Sequence, residues 1–356
     1  MNYSRKLLTK TLWCLRKTPK AIRVLRTNGL GELLALLQRR GRHQRLEPLL
    51  LRSALPIVPW PSPWSVQLEI SGRCNLNCQS CSTAGQARKD MPVEFVTSVL
   101  NSVDKSVDLH LNGIGEPLFH KNIWHVFDLV ENHGNRFGFI TNGMLLDRTV
   151  VQKLSAYRNL RYIGVSFNGG TKEINECSRR GMHFEKVVEN TINAVAVLTV
   201  EFGIHFTAST ENVSHFKPVL ELAKRVGIHK VSVAGLYAWD EFLGNLELDY
   251  DSFCLINGSE EDIKAQYPDL DISIMLLGRF PKRDRPHCSQ PWRFLFVAAD
   301  GTVYPCCMQF GKRDPEGIGN LTMLTIEKIW NGSTMQQCRT HVHHGDLPAC
   351  SRCYLR

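Results

Sequence analysis

Three closely spaced cysteines constrain this chain more than any other feature. Cys74, Cys78 and Cys81 follow one another with the spacing CxxxCxxC. A four-iron cluster is held by cysteine thiolates, and three protein thiolates leave one of its irons open to another ligand. The spacing is too tight for a pairwise disulfide pattern, and no pair of histidines follows at zinc-finger spacing. We therefore predict an open iron–sulfur cluster, with a structural zinc site and three unrelated free thiols as the alternatives.

Short apolar runs with strand character alternate with helical patterns through the middle of the chain. The helical patterns carry apolar residues at three- and four-residue spacing. This alternation is typical of parallel βα units and predicts an α/β fold. The predicted strands span 66–70, 107–112, 136–140, 161–167, 202–208 and 229–235. The predicted helices span 92–104, 120–134, 147–158, 182–199 and 213–226.

The cysteine spacing and its position after the first predicted strand resemble the radical SAM superfamily. In that family, three cysteines in the loop after the first strand of a partial (β/α)6 barrel bind a [4Fe-4S] cluster, and S-adenosylmethionine (SAM) chelates its open iron. The resemblance implies that Cys74, Cys78 and Cys81 are the metal ligands. Ser80 stands where the family often has an aromatic residue. We expect this difference to affect packing around the cluster rather than ligation.

A glycine-rich loop follows the second predicted strand. Residues 112–117 read Asn-Gly-Ile-Gly-Glu-Pro and resemble the family's GGEP motif, which meets the SAM amino group. Glycine allows the backbone to approach a ligand closely because it has no Cβ atom. The resemblance implies cofactor binding by Gly113, Gly115 and Glu116, with Ile114 in place of a glycine. An ordinary tight turn is the alternative reading of this string.

The loops after the third and fourth predicted strands hold polar residues next to glycines. The strings Thr-Asn-Gly at 141–143 and Ser-Phe-Asn-Gly at 166–169 resemble family motifs that reach the SAM ribose or carboxylate. The resemblance implies cofactor binding by Asn142, Ser166 and Asn168, although Asn168 stands where the family usually has an acid. Asn-Gly pairs also form turns without any ligand.

A pair of arginines precedes the fourth predicted helix. The string Arg-Arg-Gly at 179–181 resembles a family step in which an arginine pairs with the SAM carboxylate. We choose Arg180 for this contact, and Arg179 remains the alternative.

The C-terminal region carries a second group of cysteines. A helix is predicted near 325–338, and residues 294–304 alternate around Asp300-Gly301, which is a strong hairpin signal. The cysteine pattern resembles the SPASM extension of radical SAM proteins, which carries auxiliary iron–sulfur clusters. The resemblance implies one closed auxiliary [4Fe-4S] cluster, with Cys307 or Cys338 as possible substitutes for a ligand and a zinc ribbon as the alternative site. The four implied ligands are Cys288, Cys306, Cys350 and Cys353.

Cys307 directly follows one of these implied ligands. In SPASM enzymes that oxidise peptide side chains, this position can hold an acid that accepts the substrate proton. A thiol can instead return a hydrogen atom to a substrate radical, as in some radical SAM epimerases, so the resemblance implies a catalytic role for Cys307. The alternative is a buried cysteine that acts only as a small core residue.

Basic residues are concentrated at the N-terminus. Residues 1–60 contain 13 Lys or Arg against two Glu, whereas residues 61–356 contain 30 Lys or Arg against 32 Asp or Glu. Leucines at near-helical spacing among these basic residues predict a basic amphipathic helical leader, a pattern typical of membrane-surface segments. Packing of this leader on the barrel is the alternative. We expect no spanning helix, because the longest uncharged run is broken by prolines.

These observations divide the chain into four predicted parts. The leader spans 1–60, the partial barrel 61–236, an irregular bridge lining the substrate pocket 237–284, and the SPASM-like domain 285–356. The chain begins without a signal peptide, and its cysteines are grouped as cluster ligands. We therefore expect a cytoplasmic protein, with peripheral membrane contact through the leader.

The resemblance implies an enzyme that reductively cleaves SAM and abstracts a hydrogen atom from a substrate C–H bond. We expect a peptide or small metabolite as substrate, an external one-electron reductant such as flavodoxin or ferredoxin, and no nucleic-acid partner. The outcome would be oxidation, bond formation or epimerisation. Two alternatives stay open: a lipid-linked or sugar substrate at the membrane surface, and a non-catalytic iron–sulfur scaffold or electron carrier with a degenerate SAM pocket.

Overall fold

A large, mostly parallel sheet organises the protein in a computed structural model. The structure describes residues 62–81, 89–237, 241–276, 288–309 and 317–344, together with Cys350 and Cys353. The predicted leader at 1–60 lies outside the described residues. Within the described part of the chain, no helix has the length and apolar character needed to cross a membrane.

The strands belong to one ten-stranded sheet and one small two-stranded sheet. In chain order they are β1 (Ser65–Leu68), β2 (Asn77–Cys78), β3 (Asp108–His110), β4 (Phe137–Thr141), β5 (Leu160–Ser166), β6 (Arg179–Arg180), β7 (Glu201–Ala208), β8 (Lys230–Gly235), β9 (Asp271–Met275), β10 (Phe294–Val297), β11 (Thr302–Tyr304) and β12 (Gly319–Asn320). The large sheet has the order β12-β11-β10-β1-β3-β4-β5-β7-β8-β9, and β2 pairs with β6.

Helices connect the parallel strands. In chain order they are α1 (Val93–Ser102), α2 (Ile123–His133), α3 (Arg148–Leu154), α4 (Lys172–Ser178), α5 (Phe184–Val197), α6 (Phe216–Val226), α7 (Tyr250–Asn257), α8 (Glu260–Gln266), α9 (Gln290–Arg293), α10 (Ile326–Trp330) and α11 (Ser333–His344). Helix α2 ends at Gly134, whose φ of 94° places it in the left-handed conformation that favours glycine at this position.

The predicted α/β barrel is confirmed. All six predicted strands are present as β1, β3, β4, β5, β7 and β8, and each pairs in parallel with the next. The helices cover one face of each strand. The buried residues on that face include Ile163 and Val165 of β5 and Ile204 and Phe206 of β7. The opposite face is the inner face of the partial barrel, because side chains alternate along a strand.

Three parts of the fold differ from the predictions. The bridge is not irregular throughout: it forms α7, α8 and β9, and β9 pairs in parallel with β8. Ile272 and Ile274 of β9 are buried and alternate with exposed residues, but the strand is only five residues long, so its alternating pattern is easily missed in the sequence. The helix predicted near 325–338 is divided into α10 and α11, and α4 was not predicted.

The predicted C-terminal hairpin is present, but it does not stand apart from the barrel. Strand β10 pairs in parallel with β1, with Ser65 opposite Phe294 and Leu68 opposite Val297. Strand β11 then pairs antiparallel with β10. The hairpin therefore extends the barrel sheet beyond its first strand and lies next to the cysteine loop that follows β1.

Candidate cofactor site at the carboxyl edge of the sheet

The three N-terminal cysteines lie in the loop between β1 and α1. Cys78 pairs in register with Arg179 across β2 and β6. The Gln79 amide donates to the Ser178 carbonyl at 2.9 Å, and the Cys81 amide donates to the Cys78 carbonyl at 3.2 Å. These bonds hold the cysteine loop against the segment that follows β5.

The Cys74 thiol accepts two hydrogen bonds. The Leu76 amide donates to Cys74 Sγ at 3.4 Å, and Asn142 Nδ2 donates to it at 3.7 Å. Desolvation raises the pKa of the thiol to about 11, and nearby Glu116 and Cys78 add to the rise, whereas the Leu76 amide opposes it. Metal-bound thiolates usually accept hydrogen bonds from nearby N–H groups, so the surroundings of Cys74 suit a cluster ligand.

An ion pair anchors the start of the cysteine loop. The Asp90 carboxylate accepts from Arg73 Nη2 at 2.6 Å, Arg73 Nε at 3.0 Å and Ser71 Oγ at 2.8 Å. The Lys121 amide donates to the same carboxylate at 3.1 Å. Because Arg73 directly precedes Cys74, Asp90 determines where the loop leaves the sheet.

We expect the substitution Asp90→Asn to destabilise the protein by about 1–2 kcal/mol at neutral pH, since it removes a charged partner of several hydrogen bonds. Although burial acts to raise it, the pKa of Asp90 is lowered overall by the bonds from Arg73, Lys121 and Ser71. The stabilisation is therefore present above the ordinary Asp pKa of about 3.9 and is lost as pH falls through the lower folded-state value. Denaturant unfolding at stepped pH measures this difference.

Asp108→Asn is the matched control for this prediction. Asp108 pairs with Arg136 at 2.7 Å, but the side chains are 43% and 57% exposed, so solvent screens the pair. A loss in Asp108→Asn as large as that in Asp90→Asn would contradict the anchoring role of Asp90.

The glycine-rich loop lies directly on the cysteine loop. The Glu116 amide donates to the Arg73 carbonyl at 2.8 Å. A Cβ atom on Gly115 would stand 2.5 Å from the Arg73 carbonyl oxygen and closer still to that of Ser71. The structure thus requires glycine at 115 for contact between two backbones. This reason holds whether or not Gly115 also contacts a cofactor.

Glu116 is buried and joins two loops of the site. Its carboxylate accepts from Thr141 Oγ1 at 2.7 Å, the Asn142 amide at 2.7 Å and the Leu118 amide at 3.1 Å. Burial raises its pKa, while these donors and the charge of Arg179 act to lower it. Asn142 Nδ2 in turn donates to Asn75 Oδ1 at 2.8 Å. The structure therefore brings Glu116, Asn142 and Cys74 together.

The other predicted cofactor residues differ in their contacts and burial. Ser166 ends β5, and its carbonyl accepts a hydrogen bond from Arg179 Nη1. Asn168 is engaged with α4: its amide donates to Asn175 Oδ1 at 2.9 Å and its Nδ2 to Ser178 Oγ at 3.2 Å. Arg179 is buried, whereas Arg180 is exposed. Cofactor contact by Arg180 stays a prediction, and Arg179 holds the position nearer Glu116.

The four C-terminal cysteines of the predicted auxiliary site are neighbours. Burial raises the pKa of Cys288 to about 11, and the nearby Cys353 and Cys350 add to the rise. Burial also raises the pKa of Cys306, with further contributions from Cys307, Cys288 and Cys353. Among the described side chains, no three His, Cys, Asp or Glu surround a single metal position. A four-iron cluster separates its ligand sulfurs more widely than a single ion does.

Cys307 lies between the auxiliary cysteines and the glycine-rich loop. On one side it packs against a cluster of Phe296, Ala298 and Tyr304 in the C-terminal hairpin, and Ile114 packs against the same cluster. On the other it packs with Tyr237 and the Cys353 side of the auxiliary site. Ile114, which departs from the family's glycine, thus has a packing reason: its side chain covers the C-terminal hairpin.

The sequence reasoning missed Glu69 as a residue of this site. Glu69 is 2% exposed and follows β1. Its Oε1 accepts from the Ile114 amide at 3.3 Å and its Oε2 from the Ala299 amide at 3.1 Å. The carboxylate therefore ties the glycine-rich loop to the C-terminal hairpin. An acid inside the apolar run Val-Gln-Leu-Glu-Ile at 66–70 was the available signal.

Comparisons with known proteins identify the domains that this chain contains. A model of the radical SAM superfamily matches residues 68–236, and the model of SPASM, an iron–sulfur cluster-binding domain, matches residues 288–354. The chain is 24% identical to the PqqA peptide cyclase of Gluconobacter oxydans over 78% of this chain and 79% of the relative. It is 32% identical to the AdoMet-dependent heme synthase of Methanosarcina barkeri over 47% of this chain, which spans about half (48%) of that relative.

Solved structures show the same fold. Streptococcus suis SuiB bound to S-adenosylmethionine has a TM-score of 0.66 at 15% identity, with 92% of this chain and 78% of SuiB covered. SuiB bound to its precursor peptide SuiA has a TM-score of 0.65 at 16% identity, with coverage of 98% and 83%. At this level of identity, the likeness supports the fold alone.

Proposed function

This chain belongs to the radical SAM superfamily and carries a SPASM iron–sulfur domain, and from this membership we propose that it modifies a peptide substrate by radical chemistry. Family membership makes it an enzyme that uses [4Fe-4S] clusters and SAM. Peptide as the substrate class is supported by two similar proteins, PqqA peptide cyclase and SuiB, whose structure includes a precursor peptide.

One observation carries the proposal: the cysteine loop, the glycine-rich loop and Cys307 meet at one edge of the sheet. Glu116 and Asn142 connect the first two loops, and Ile114 of the second loop packs on the same hairpin residues, Phe296 and Tyr304, as Cys307. A substrate held at this edge would face both a cofactor site and a thiol. That arrangement suits an enzyme that generates and then resolves a substrate radical.

The residues present fit the cofactors of this family. Cys74, Cys78 and Cys81 would hold the SAM-binding cluster, and Gly113 and Gly115 allow the glycine-rich loop to lie directly on Glu69 and on the backbone of the cysteine loop. When bound, these groups supply a 5′-deoxyadenosyl radical that abstracts a hydrogen atom from a substrate C–H bond. The chain's part is to orient the cofactor through Glu116 and Asn142, to position the substrate carbon and to exclude water.

We propose two outcomes that depend on Cys307. If its thiol gives a hydrogen atom to the substrate radical, the product is an epimer and the thiol must be restored by a reductant. If the auxiliary site accepts an electron instead, the product is oxidised or forms a new bond. Cys288, Cys306, Cys350 and Cys353 would hold that auxiliary cluster, and an external flavodoxin or ferredoxin would supply the electron for SAM cleavage.

The test is anaerobic incubation of the reconstituted protein with dithionite, SAM and a synthetic library of ribosomal-type peptides in D2O. We expect 5′-deoxyadenosine to accumulate. We also expect either a peptide that has lost two hydrogens or one that has gained a single solvent deuteron at carbon. Turnover of SAM with no modified peptide would remove the peptide proposal, and intact SAM would favour the non-catalytic scaffold.

We further propose contact with a membrane surface, on the ground of charge. Residues 1–60 carry 13 Lys or Arg against two Glu, which supports peripheral contact with an anionic membrane surface by a cytoplasmic enzyme. Sedimentation with anionic and neutral lipid vesicles measures this contact. Equal binding to both kinds of vesicle would exclude the electrostatic attraction on which the idea rests.

A further inference from the structure

Two neighbouring strands leave a bare patch on the inner face of the barrel. Gly164 of β5 pairs in register with Gly203 of β7, and Ser166 pairs with His205. These residues alternate with Ile163 and other residues that are buried under the helices, so they lie on the opposite, inner face. Glycine adds no side chain to a sheet, so two paired glycines leave room over the backbone for side chains of neighbouring residues.

Tyr162 and His205 fill this patch. The Tyr162 hydroxyl lies 2.7 Å from His205 Nε2, and the two rings meet edge to face with centroids 5.9 Å apart. A Cβ atom on Gly164 would stand 2.5 Å from His205 Cδ2, and one on Gly203 would overlap the Tyr162 hydroxyl. The absence of side chains at two glycines is therefore what makes room for the pair.

The imidazole has a defined orientation in this pair. Its Cδ2 and Nε2 atoms face Gly164, so Nδ1 and Cε1, on the opposite edge of the ring, face away from the strand. From the residues that the structure describes, no hydrogen bond reaches Nδ1. The register neighbour of His205 is Ser166, a predicted cofactor residue. Because Tyr162 pairs in register with Glu201 at the start of β7, the pair lies below the carboxyl edge of the sheet, with Nδ1 turned away from Gly164 on the inner face of the barrel.

The protonation of the pair determines what Nδ1 offers. Burial and the charge of Lys230 lower the pKa of His205 to about 4, and burial raises the pKa of Tyr162, so both groups are neutral near pH 7. A phenol is the better donor and an imidazole nitrogen the better acceptor, which assigns the bond as Tyr162 O–H to Nε2. The remaining proton is then on Nδ1.

We propose that the Tyr162–His205 pair forms the floor of the substrate chamber and that His205 Nδ1–H donates a hydrogen bond to an amide carbonyl oxygen of the substrate. This inference rests on the proposed peptide-modifying function and deepens it. A neutral N–H donor suits a neutral acceptor, and a peptide presents an amide carbonyl at every residue. Tyr162 is the positioning residue, because its hydroxyl selects the tautomer with the proton on Nδ1.

The test uses the holoenzyme and a library peptide that the wild type modifies. We expect His205→Leu to raise KM for that peptide about tenfold, with the loss in KM rather than kcat, because one hydrogen bond to the bound substrate is removed. His205→Asn keeps an N–H donor near the Nδ1 position and should recover KM to within about threefold of wild type. Tyr162→Phe should give an intermediate rise.

His229→Leu is the matched control, since His229 is exposed and should keep the wild-type KM. The affinity for SAM, measured without peptide, should be the same in His205→Leu as in wild type. An equal KM in His205→Leu and wild type, or no recovery in His205→Asn, would overturn the hydrogen bond. A loss confined to SAM affinity would assign the pair to the cofactor instead. If the wild type modifies no peptide, the proposed function fails first and this inference fails with it.

Discussion

Replacing Cys74, Cys78 and Cys81 together by alanine should abolish 5′-deoxyadenosine formation. Iron content should fall from about eight to about four per chain, because only the SAM-binding cluster is lost. The iron that remains should be bound by Cys288, Cys306, Cys350 and Cys353. Iron, sulfide and zinc analysis after anaerobic reconstitution measures the content, and paramagnetic resonance with and without SAM identifies which cluster remains.

Cys177→Ala is the control for the triple variant. Cys177 is an exposed thiol on α4, near the loop but outside the cysteine pattern. We expect it to keep full iron content and full SAM cleavage. A triple-alanine variant that still shows a reduced-cluster signal shifted by SAM would contradict the ligand assignment. About four irons in the wild type with bound zinc would contradict an iron–sulfur auxiliary site.

Gly115→Ala should have the second largest effect. A Cβ atom there would stand 2.5 Å from the Arg73 carbonyl oxygen, and both nearby oxygens belong to the backbone, so no side chain can move to relieve the overlap. The glycine-rich loop would have to shift away from the cysteine loop. We expect a destabilisation of about 1–3 kcal/mol and a loss of SAM affinity of at least about tenfold, since a small misplacement of binding groups is costly.

Gly244→Ala offers a control of the same chemistry. No atom lies within 4 Å of a Cβ placed on Gly244, and its φ is not in the left-handed region. We expect stability and SAM affinity close to wild type. Thermal unfolding and SAM binding measured on both variants separate a local overlap from a general effect of adding a methyl group. SAM binding by Gly115→Ala at wild-type affinity would show that the loop contact is dispensable.

Local patterns predicted the barrel well because each βα unit has its own periodicity. Strand β7 was predicted at 202–208 and spans Glu201–Ala208, and α6 was predicted at 213–226 and spans Phe216–Val226. Strand β9 was missed because it is short and follows a segment with little periodicity. The hairpin was predicted from Asp300-Gly301, but its pairing with β1 was not, since no local signal encodes a partner more than 200 residues away.

The site shows the same division between local and distant information. The cysteine spacing and the string at 112–117 pointed to the cofactor loops from residues close together in sequence. The sequence did not indicate which of these side chains form hydrogen bonds within the protein or are buried in it. Asn168 is hydrogen-bonded to α4, and Arg179 rather than Arg180 is buried. Glu69 was missed because its partners, the Ile114 and Ala299 amides, come from distant parts of the chain.

The sequence by itself pointed to the family and to the order of the six central strands, because ligand spacing and hydrophobic periodicity are properties of adjacent residues; the cluster ligands that the family implies stay a prediction. Only the tertiary structure decided that the C-terminal hairpin joins the barrel sheet through β1, that Ile114 and Cys307 pack on the same hairpin residues, and that Tyr162 and His205 pair over two glycines. These contacts depend on how strands distant in sequence are placed side by side. Side-chain packing and hydrogen bonding select among such placements only once the whole sheet has formed.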